Sequence, residues 1–368
     1  MDESELLGVN ADEVSAVLEH FSRDTFRGRE YRYLDAARRG IERGTVLIED
    51  TAVRGFPSIP RTLVLETGIP AFFDGQVSIS EKLNGYNVRI ADVGEPLAFT
   101  RSGLICPYST QLARERLDLD AFFEEFPERM LCAEFVGPEN PYTAHEYPEI
   151  DDIGLRVFDI RNQERGTPMP VDRRREVADS FGFPQPELFG THEPSEAVEA
   201  VRTAIHHLDD REREGVVMRS MDGRDALKYT THSQHRRDLA FAFSLPFDYG
   251  RDFVFSRLIR EAFQAVEFEE EGDALRERAH DLGEAILEPM VETIRDVQAG
   301  DKVGERHTVR ASPASVDALL DHLEEQGVTV DITVERTVDG DRVVEFVKVA
   351  DSTRDSIEYY LGGGTIDE

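Results

Sequence analysis

The stretch EKLNGYNVRI (residues 81–90) contains Lys82, one of only four lysines in a chain of 368 residues. The run that leads into it, QVSISEKL, alternates apolar and polar side chains, which predicts a strand that ends near Lys82. Gly85 follows, and a glycine there lets the chain turn tightly and lets a ligand approach the backbone. The amine of Lys82 therefore ends a predicted strand beside a candidate ligand site, unless it is an ordinary surface lysine.

The composition of the chain favours a chemical role for Lys82. The chain has 42 basic and 75 acidic residues and a net charge of −33, yet its 40% of hydrophobic residues suffice for folded cores. A surface this acidic is tolerable where concentrated salt screens its self-repulsion, so we expect a halophilic cytoplasm. Arginine stays protonated near neutral pH, whereas lysine can become a nucleophilic amine. A lysine retained in a chain that otherwise uses arginine is therefore a candidate for chemistry.

The sequence gives no support to a membrane protein or a metal-cluster protein. No apolar run approaches the roughly eighteen residues of a membrane span, and the opening MDESELLGVNADE lacks a basic, apolar leader. Cys106 and Cys132 lack the spacing of a metal site, which predicts two reduced thiols in a cytoplasmic protein. Net negative charge disfavours nucleic-acid binding, but molar salt shortens the Debye length to about 3 Å. Only close contacts between the protein and a nucleic acid would then affect binding.

Hydrophobic periodicity divides the chain into four predicted domains. Residues 1–63 form an N-terminal module, in which residues 10–43 carry apolar residues at helical spacing and the run GTVLIEDTAVRGFPSIPRTLVLETGIP that follows predicts short strands and turns. Residues 64–235 contain recurrent short β-rich runs and form the expected catalytic domain. Residues 236–302 have helical periodicity, which predicts paired helices that pack on a neighbour or on a second subunit. Residues 303–368 predict a compact α/β module with one helix and two strands.

The catalytic domain is predicted to consist mainly of strands. The seven predicted strands lie in QVSISEKL, YNVRIADV, PLAFTRSG, MLCAEFVG, LRVFDIRN, REGVVMRS and DALKYTTH. Two helical insertions interrupt them, VDRRREVADSFGF and PSEAVEAVRTAIHHL. The sequence therefore predicts an α+β fold with a β-rich core.

Three further residues occur in surroundings similar to those of Lys82. Lys228 lies in the strand-like run DALKYTTH, while Lys302 and Lys348 lie in the C-terminal part without comparable surroundings. Glu134 in LCAEFVGPENPY and Glu214 in REGVVMR stand within apolar strands, where an unpaired carboxylate would be costly. Each could simply face outward from an alternating strand. Along the chain, a lysine is followed by a carboxylate, then by a carboxylate with a glycine after it, and then by a second lysine. This order indicates a functional site more strongly than any one of the residues does.

Taken together, these segments resemble those of a known enzyme superfamily. EKLNGYNVR, AEFVGPENPY, VFDIR, EGVVMR and LKY are similar to motifs I, III, IIIa, IV and V of the covalent nucleotidyltransferases, the ligases and capping enzymes. Within it, the chain most resembles the homodimeric ATP-dependent RNA ligases of archaea, over most of its length and including GFPSIPR before motif I. The resemblance implies a β-rich nucleotidyltransferase core of the ATP-grasp-like ligase type, a small N-terminal module, a helical dimerisation segment and an α/β C-terminal module.

The resemblance also implies a mechanism. Lys82 would attack the α-phosphate of ATP, form a lysine-adenylate and release pyrophosphate. The AMP would pass to the 5′-phosphate of a single-stranded RNA end, and a 3′-hydroxyl would then displace AMP and seal the strand. Because each step moves charge between phosphate oxygens, cations must offset that charge.

The same resemblance assigns roles to the other site residues. Lys228 would contact the α-phosphate, and Glu214 would hold Mg²⁺, or Mn²⁺ in its place. Glu134 would bind the ribose hydroxyls or join the metal ligands. Phe158 would stack on adenine, with a plain core phenylalanine as the alternative, and Arg101 would lie near the ribose and phosphates. The remaining candidates for nucleotide contact are Glu81, Leu83, Asn87 and Arg89, the last with a surface ion pair as the alternative.

Two positions depart from the family pattern, and other classes of protein stay open. Motif I often has aspartate where this chain has Asn84, and motif V often has two lysines where this chain has Lys228 alone. The alternatives are a DNA ligase, a GTP-dependent capping guanylyltransferase and a non-catalytic RNA-binding scaffold. The lack of a recognisable basic OB-type domain after motif V disfavours the first two, and retention of Lys82 disfavours the third. Arg236 and Arg237 could bind RNA phosphates or form ion pairs.

Overall fold

The N-terminal part contains a four-stranded meander, whose last two strands lie in the run predicted to form short strands and turns. The computed structural model describes residues 3–10, 12–143 and 145–366. Its first elements are α1 (Glu3–Leu7), α2 (Val14–Leu18), β1 (Phe21–Phe26), β2 (Arg29–Leu34), β3 (Val46–Ile48) and β4 (Thr51–Val53), with the strands in the order β1-β2-β3-β4. The helical prediction for residues 10–43 is therefore wrong beyond α2. Arg27 and Gly28 both have positive φ angles, 49° and 81°, as a two-residue hairpin turn requires.

The catalytic part contains the seven predicted strands, which are confirmed, and one further strand. Its elements are α3 (Leu65–Phe72), β5 (Val77–Lys82), β6 (Tyr86–Asp92), β7 (Pro96–Thr100), α4 (Pro107–Arg116), α5 (Leu119–Glu125), β8 (Arg129–Val136), β9 (Gly154–Asn162), α6 (Val171–Ser180), β10 (Leu188–His192), α7 (Pro194–Asp209), β11 (Gly215–Ser220) and β12 (Ala226–Thr230). They form two antiparallel sheets, in the orders β10-β5-β11-β12 and β7-β6-β8-β9. The predicted α+β fold is confirmed.

Consecutive strands β5 and β6 belong to different sheets. The segment that connects them determines where the candidate site lies. The chain leaves the first sheet at Lys82 and enters the second at Tyr86. The first sheet packs its other face on α3 and α7, around residues such as Ile79 and Val201. The three residues between the strands therefore bridge the two sheets at one end of the gap between them.

Three helices follow β12, as the periodicity predicted. They are α8 (His232–Ser244), α9 (Arg251–Glu267) and α10 (Gly272–Ala299). Glu261 of α9 is buried and accepts hydrogen bonds from His232 at 2.7 Å, His235 at 2.5 Å and Arg278 at 2.5 Å. Despite its burial, these donors lower the pKa of Glu261 to about 2. One buried carboxylate thus ties all three helices together.

The C-terminal part shares a hydrophobic core with the catalytic part. It consists of β13 (Gly304–Ala311), α11 (Pro313–Glu325), β14 (Val330–Val338), β15 (Asp341–Val349) and α12 (Asp351–Leu361), with the strands in the order β13-β15-β14. The predicted helix and two strands are confirmed, and β13 and α12 are additional. Leu319 and Phe346 lie in one buried cluster with Leu112 of α4 and Leu131 of β8. Burial of this shared apolar surface fixes the module against the second sheet.

A search of the described helices for a membrane span finds none that is both long enough and apolar enough.

Candidate active site

Lys82 and Glu214 form the centre of the site. Lys82 is paired in register with Gly215, so the residue before Gly215 lies beside the lysine. The Nζ atom of Lys82 donates to Oε2 of Glu214 at 2.6 Å and to the Leu83 carbonyl at 3.3 Å. The two side chains are 22% and 13% exposed. The amine is therefore held in place by a carboxylate but stays within reach of a ligand.

Gly215 is required for this close pairing of strands. Its φ angle is 147°, a conformation that residues with side chains rarely adopt. A Cβ atom there would lie 2.2 Å from the carbonyl oxygen of Tyr229 in the neighbouring strand. The glycine of the EGVVMR segment therefore lets Glu214 reach Lys82 while β11 stays paired with β12.

Lys228 reaches the site from β12. It is held on one side by Val217 of β11 and on the other by residues 60–62, because its N–H donates to the Pro60 carbonyl at 3.0 Å. Burial, with the nearby positive charges of Arg61 and Lys82, lowers the pKa of Lys228 to about 8. The segment GFPSIPR, which precedes motif I in the sequence, therefore runs alongside the strand that carries Lys228 and helps to hold it.

Glu134 lies on β8, opposite Asn87 of β6. Its Oε1 atom accepts a hydrogen bond from the Gly85 N–H at 3.0 Å. Burial raises the pKa of Glu134 to about 7, against the opposing effect of the positive charge on Lys82. The Oδ1 atom of Asn87 is buried without a hydrogen-bond partner in the described part of the chain. This face of β6 and β8 therefore offers acceptors that a bound molecule could satisfy.

Phe158 is directed by a β-bulge. Cys132 pairs with Asp159 and Ala133 pairs with Val157, which leaves Phe158 as the extra residue of β9. Its ring packs edge-to-face on Phe56, with 5.2 Å between the ring centroids. Both rings line the cavity described next, so they provide an apolar surface on which a base could stack.

The two sheets enclose a cavity of about 470 Å³, a size suited to a small-molecule ligand. The predicted site residues that line it are Glu81, Lys82, Leu83, Asn87, Arg101, Glu134, Phe158, Glu214 and Lys228. Arg101 forms no ion pair with any residue that the structure describes. The cavity is lined by four basic side chains (Lys82, Arg101, Arg219 and Lys228) and three carboxylates (Glu81, Glu134 and Glu214), so it does not share the strong excess of acidic residues of this chain of net charge −33.

Arg89 is the one predicted site residue that does not line the cavity. Its guanidinium is fully buried and donates to the carbonyl oxygens of Arg54 at 2.6 Å and Thr100 at 2.9 Å. It therefore neither contacts the cavity nor forms the surface ion pair considered as its alternative. It instead ties β6 to β7 and to the N-terminal part.

Two lining residues direct their side chains elsewhere. The buried carboxylate of Glu81 lies 3.9 Å from Nε of Arg213, and burial raises its pKa. Leu83 packs in a small buried cluster with Val136 and Tyr147. These two residues support the turn around Lys82.

The sequence interpretation missed several cavity residues. They are Phe56, Pro57, Ile59, Ser80, Tyr86, Thr143, Pro186, Val217 and Arg219. Arg219 donates to Asp159 at 3.3 Å, and Asp159 also accepts from Arg161 at 2.9 Å. An arginine and an aspartate inside the apolar strands VVMRS and VFDIR were the available signal, because such charges must be paired when they are buried.

Three carboxylates line the cavity, and one of them, Glu81, is directed toward Arg213, which leaves Glu134 and Glu214 as the carboxylates open to a metal ion. Within the described ranges, no group of three or more His, Cys, Asp or Glu side chains could hold a metal. Glu134 and Glu214 both line the cavity. Mg²⁺ is commonly held by one or two carboxylates together with substrate phosphates and water. The donor set therefore fits a metal that binds together with a phosphorylated ligand.

The structure also gives Asn84 a role. Its Nδ2 atom donates to Oε1 of Gln234 at 2.7 Å, and Gln234 in turn donates to Asp238 at 2.7 Å. Asp238 then accepts from Arg257 of α9 at 2.8 Å. The amide of motif I thus connects the turn after Lys82 to α8 and α9.

We expect Asn84→Asp to lower the free energy of unfolding by about 1 kcal/mol. A carboxylate cannot donate to Gln234, so Gln234 would have to turn its NH₂ group to the new carboxylate and lose its bond to Asp238. Denaturant unfolding in molar KCl measures the change. Asn10→Asp is the control, because Asn10 is exposed and its side-chain amide also donates one hydrogen bond, in this case to the carboxylate of Glu13. Equal effects of the two substitutions would contradict this role of Asn84.

A lysine where two sheets meet, with carboxylates and a second lysine around it and aromatic rings beside it, defines the class of covalent nucleotidyltransferases. Residues 75–230 match the family model described as RNA ligase, and residues 241–364 match the one described as the ligase Pab1020 C-terminal region. A solved structure of an archaeal ATP-dependent RNA ligase matches with a TM-score of 0.92 and 39% identity, over 99% of this chain and 98% of that one. The chain belongs to the family of archaeal ATP-dependent RNA ligases.

Two other proteins are similar over nearly the whole chain. A protein of Methanocaldococcus jannaschii described as uncharacterised is 37% identical over 93% of this chain and 91% of its own length. A solved structure of a putative ATP-dependent DNA ligase from Aquifex aeolicus matches with a TM-score of 0.90 and 25% identity, over 97% of this chain and all of that one. Of the solved structures with this architecture, one is thus named an RNA ligase and another a putative DNA ligase.

Proposed function

We propose that the protein is an ATP-dependent RNA ligase that joins or circularises single-stranded RNA ends through an AMP bound covalently to Lys82. The observation that carries the proposal is the position of the Lys82 amine, which lies 2.6 Å from Glu214 in a cavity that also contains Lys228 and Glu134. Family membership supports ATP and RNA as substrates. A DNA ligase is the second candidate, because the Aquifex aeolicus relative carries that name.

The first step is the transfer of AMP to the protein. The neutral Lys82 amine attacks the α-phosphorus of ATP, a P–N bond forms, and the bond to the β-phosphate oxygen breaks to release pyrophosphate. The ammonium of Lys82 must first give its proton to Glu214 or to solvent, because a protonated amine has no free electron pair. Lys228 lies where its positive charge can stabilise the α-phosphate as negative charge develops.

The second and third steps use the same lysine and cavity. An oxygen of the RNA 5′-phosphate attacks the α-phosphorus, the P–N bond breaks, and Lys82 leaves as an amine. The 3′-hydroxyl then attacks the RNA phosphate and displaces AMP. Phe158 would hold the adenine by stacking, and Arg101 and Asn87 would contact the ribose and phosphates from the cavity wall.

We further propose that Glu134 and Glu214 hold Mg²⁺, or Mn²⁺, together with the phosphates of the bound nucleotide. The metal would offset the negative charge of the phosphate oxygens. A pKa raised to about 7 leaves part of the Glu134 population neutral in the free protein, and a nearby cation would favour its charged form.

The acidic surface supports a halophilic cytoplasm as the working environment. At a net charge of −33, concentrated salt would screen the repulsion between the protein and the RNA backbone. Binding would then depend on direct contacts inside the cavity, where the basic side chains gather.

Incubation of the purified protein with α-labelled ATP and Mg²⁺ in high salt tests the proposal. We expect covalent label on the protein, and then joined or circular products from 5′-phosphorylated RNA. Failure to acquire label from either ATP or GTP would overturn the enzymatic proposal. Label from GTP alone would indicate a capping enzyme, and sealing of nicked duplex DNA but not RNA would indicate a DNA ligase.

We also propose that the protein is a homodimer through its helical segment. Phe255, Val266 and Leu287 of α9 and α10 are 61%, 79% and 62% exposed, which is unusual for large apolar side chains. Light scattering in molar KCl should give twice the mass of one chain, and Leu287→Asp should shift the population toward monomer. Gln298→Asp, which adds the same group at an exposed polar position of α10, is the control. A monomeric wild-type protein would refute the proposal.

A further inference from the structure

Three arginines from two distant parts of the chain lie near Lys228, outside the set of residues that line the cavity. Arg61 belongs to the segment whose backbone pairs with Lys228. Arg257 and Arg260 lie on α9, three residues apart, so both are on one side of that helix. The three guanidinium groups are close enough to repel one another, and Arg61 and Arg260 both also interact electrostatically with Glu214. None of the three was a candidate from the sequence.

This cluster contains more positive than negative charge. Arg257 is paired with Asp238 at 2.8 Å, while Glu214 already accepts from Lys82 at 2.6 Å. Arg61 donates to the hydroxyl of Thr230, and Arg260 forms no hydrogen bond or ion pair with any residue that the structure describes.

Partial burial makes the proximity of these like charges less favourable still. Arg61 and Arg260 are half-buried, and burial lowers the pKa of Arg260 and, together with the charge of Arg260, lowers the pKa of Arg61 to about 10. Like charges held together and partly desolvated destabilise the free protein, and an anion placed among them removes that cost. Asp238 and Glu214 act on Arg260 without forming an ion pair with it, which leaves its guanidinium group free to bind an anionic ligand.

The cluster is also fixed in position. Thr230, which accepts from Arg61, contacts His235 at 2.5 Å, and His235 contacts the buried carboxylate of Glu261. Arg257 is held by Asp238, which is connected through Gln234 to Asn84 beside the nucleophile. Groups held in this way lose little conformational entropy when they bind a ligand.

We propose that Arg61, Arg257 and Arg260 bind a phosphoryl group of a substrate, next to the one that Lys228 contacts. This inference rests on the proposed function. The guanidinium group suits phosphate, since it presents several donors in a plane and keeps its charge. Two substrates carry such a group beside the reacting phosphorus: the β- and γ-phosphates of ATP, and the phosphates of the RNA end.

Arg260→Ala tests the site, and Arg260→Gln serves as a second variant that keeps most of the side-chain volume. Arg251→Ala is the matched control, because Arg251 is an exposed arginine on the same helix, roughly 13 Å away along its axis. Two reactions are measured for each protein: formation of the covalent adenylate at varied ATP, and sealing of pre-adenylated RNA at varied RNA without ATP.

The two Arg260 variants should raise the KM of one or both reactions about tenfold relative to Arg251→Ala. A rise confined to the first reaction would assign the site to the phosphates of ATP, and a rise confined to the second would assign it to the RNA. Equal KM values for Arg260→Gln and Arg251→Ala in both reactions would overturn the inference. The proposed function would still stand in that case, because the wild-type protein in the same experiment reports on it separately.

Discussion

Lys82→Arg should reduce formation of the covalent adenylate by about 1,000-fold or more, because a guanidinium cannot supply the free amine that attacks the α-phosphorus. The substitution keeps the positive charge, so the ion pair with Glu214 can persist and the fold should be preserved. Arginine is the usual basic residue in this chain, which has only four lysines. A loss of activity when Lys82 alone is changed to arginine would therefore show that the amine itself is required.

The measurement is the amount of label on the protein after incubation with α-labelled ATP and Mg²⁺ in high salt. Lys302→Arg provides the matched control, because Lys302 is an exposed lysine paired with Asp331 at 2.5 Å and lies outside the cavity. Lys302→Arg should label as the wild type does. Substantial label on Lys82→Arg would place the nucleophile elsewhere and refute the mechanism. A second arm adds pre-adenylated RNA, which bypasses the first step. If Lys82 acts only as the carrier of AMP, Lys82→Arg should still seal this RNA.

The centre of the site could be predicted from sequence because its chemistry restricts the residue types. Only lysine supplies an amine, and only a carboxylate in a strand could pair with it, so Lys82 and Glu214 stood out before their 2.6 Å contact was known. The strands could be predicted for a related reason. Their alternation reflects one face on a core and one face on the cavity, and that pattern is local in the sequence.

The remaining features depend on contacts between distant segments, which no local pattern encodes. Phe56 lines the cavity because its segment runs alongside the strand of Lys228, and Phe158 turns inward because of an extra residue in β9. Arg89 was assigned to the site because it follows motif I, but it is buried against the carbonyl oxygens of the N-terminal part and of β7. The spacing of apolar residues near Phe21 suited a helix, yet pairing across the hairpin prevailed.

The C-terminal module shows the same limit. Its helix and two strands were evident from periodicity, which predicted a compact module. No local pattern showed that Leu319 and Phe346 would share a core with the catalytic part. A shared core indicates that removing residues 303–368 would expose apolar surface of the second sheet and destabilise the catalytic part.

Lys228→Ala should reduce adenylate formation by about 1,000-fold, since the loss of one preorganised charge at a developing oxyanion typically costs about 100-fold to 1,000-fold. Lys228→Arg should restore part of this rate and should also change its pH dependence. The wild-type lysine has its pKa lowered to about 8, so it loses its charge as the pH rises from about 7 to about 9. Arginine keeps its charge over that range. The ratio of the Lys228→Arg rate to the wild-type rate should therefore increase with pH.

The titration of Lys228 does not itself destabilise the protein as the pH rises. The folded protein releases the proton of Lys228 near pH 8, whereas the unfolded chain holds it until about pH 10.5. Between those values the unfolded chain binds more protons, so this group makes the free energy of unfolding rise with pH. A falling wild-type rate would then reflect lost charge at the α-phosphate. Adenylation rates of both proteins from about pH 6.5 to about pH 9.5 in molar KCl test this, and a ratio that stays constant with pH would contradict the assigned role of Lys228.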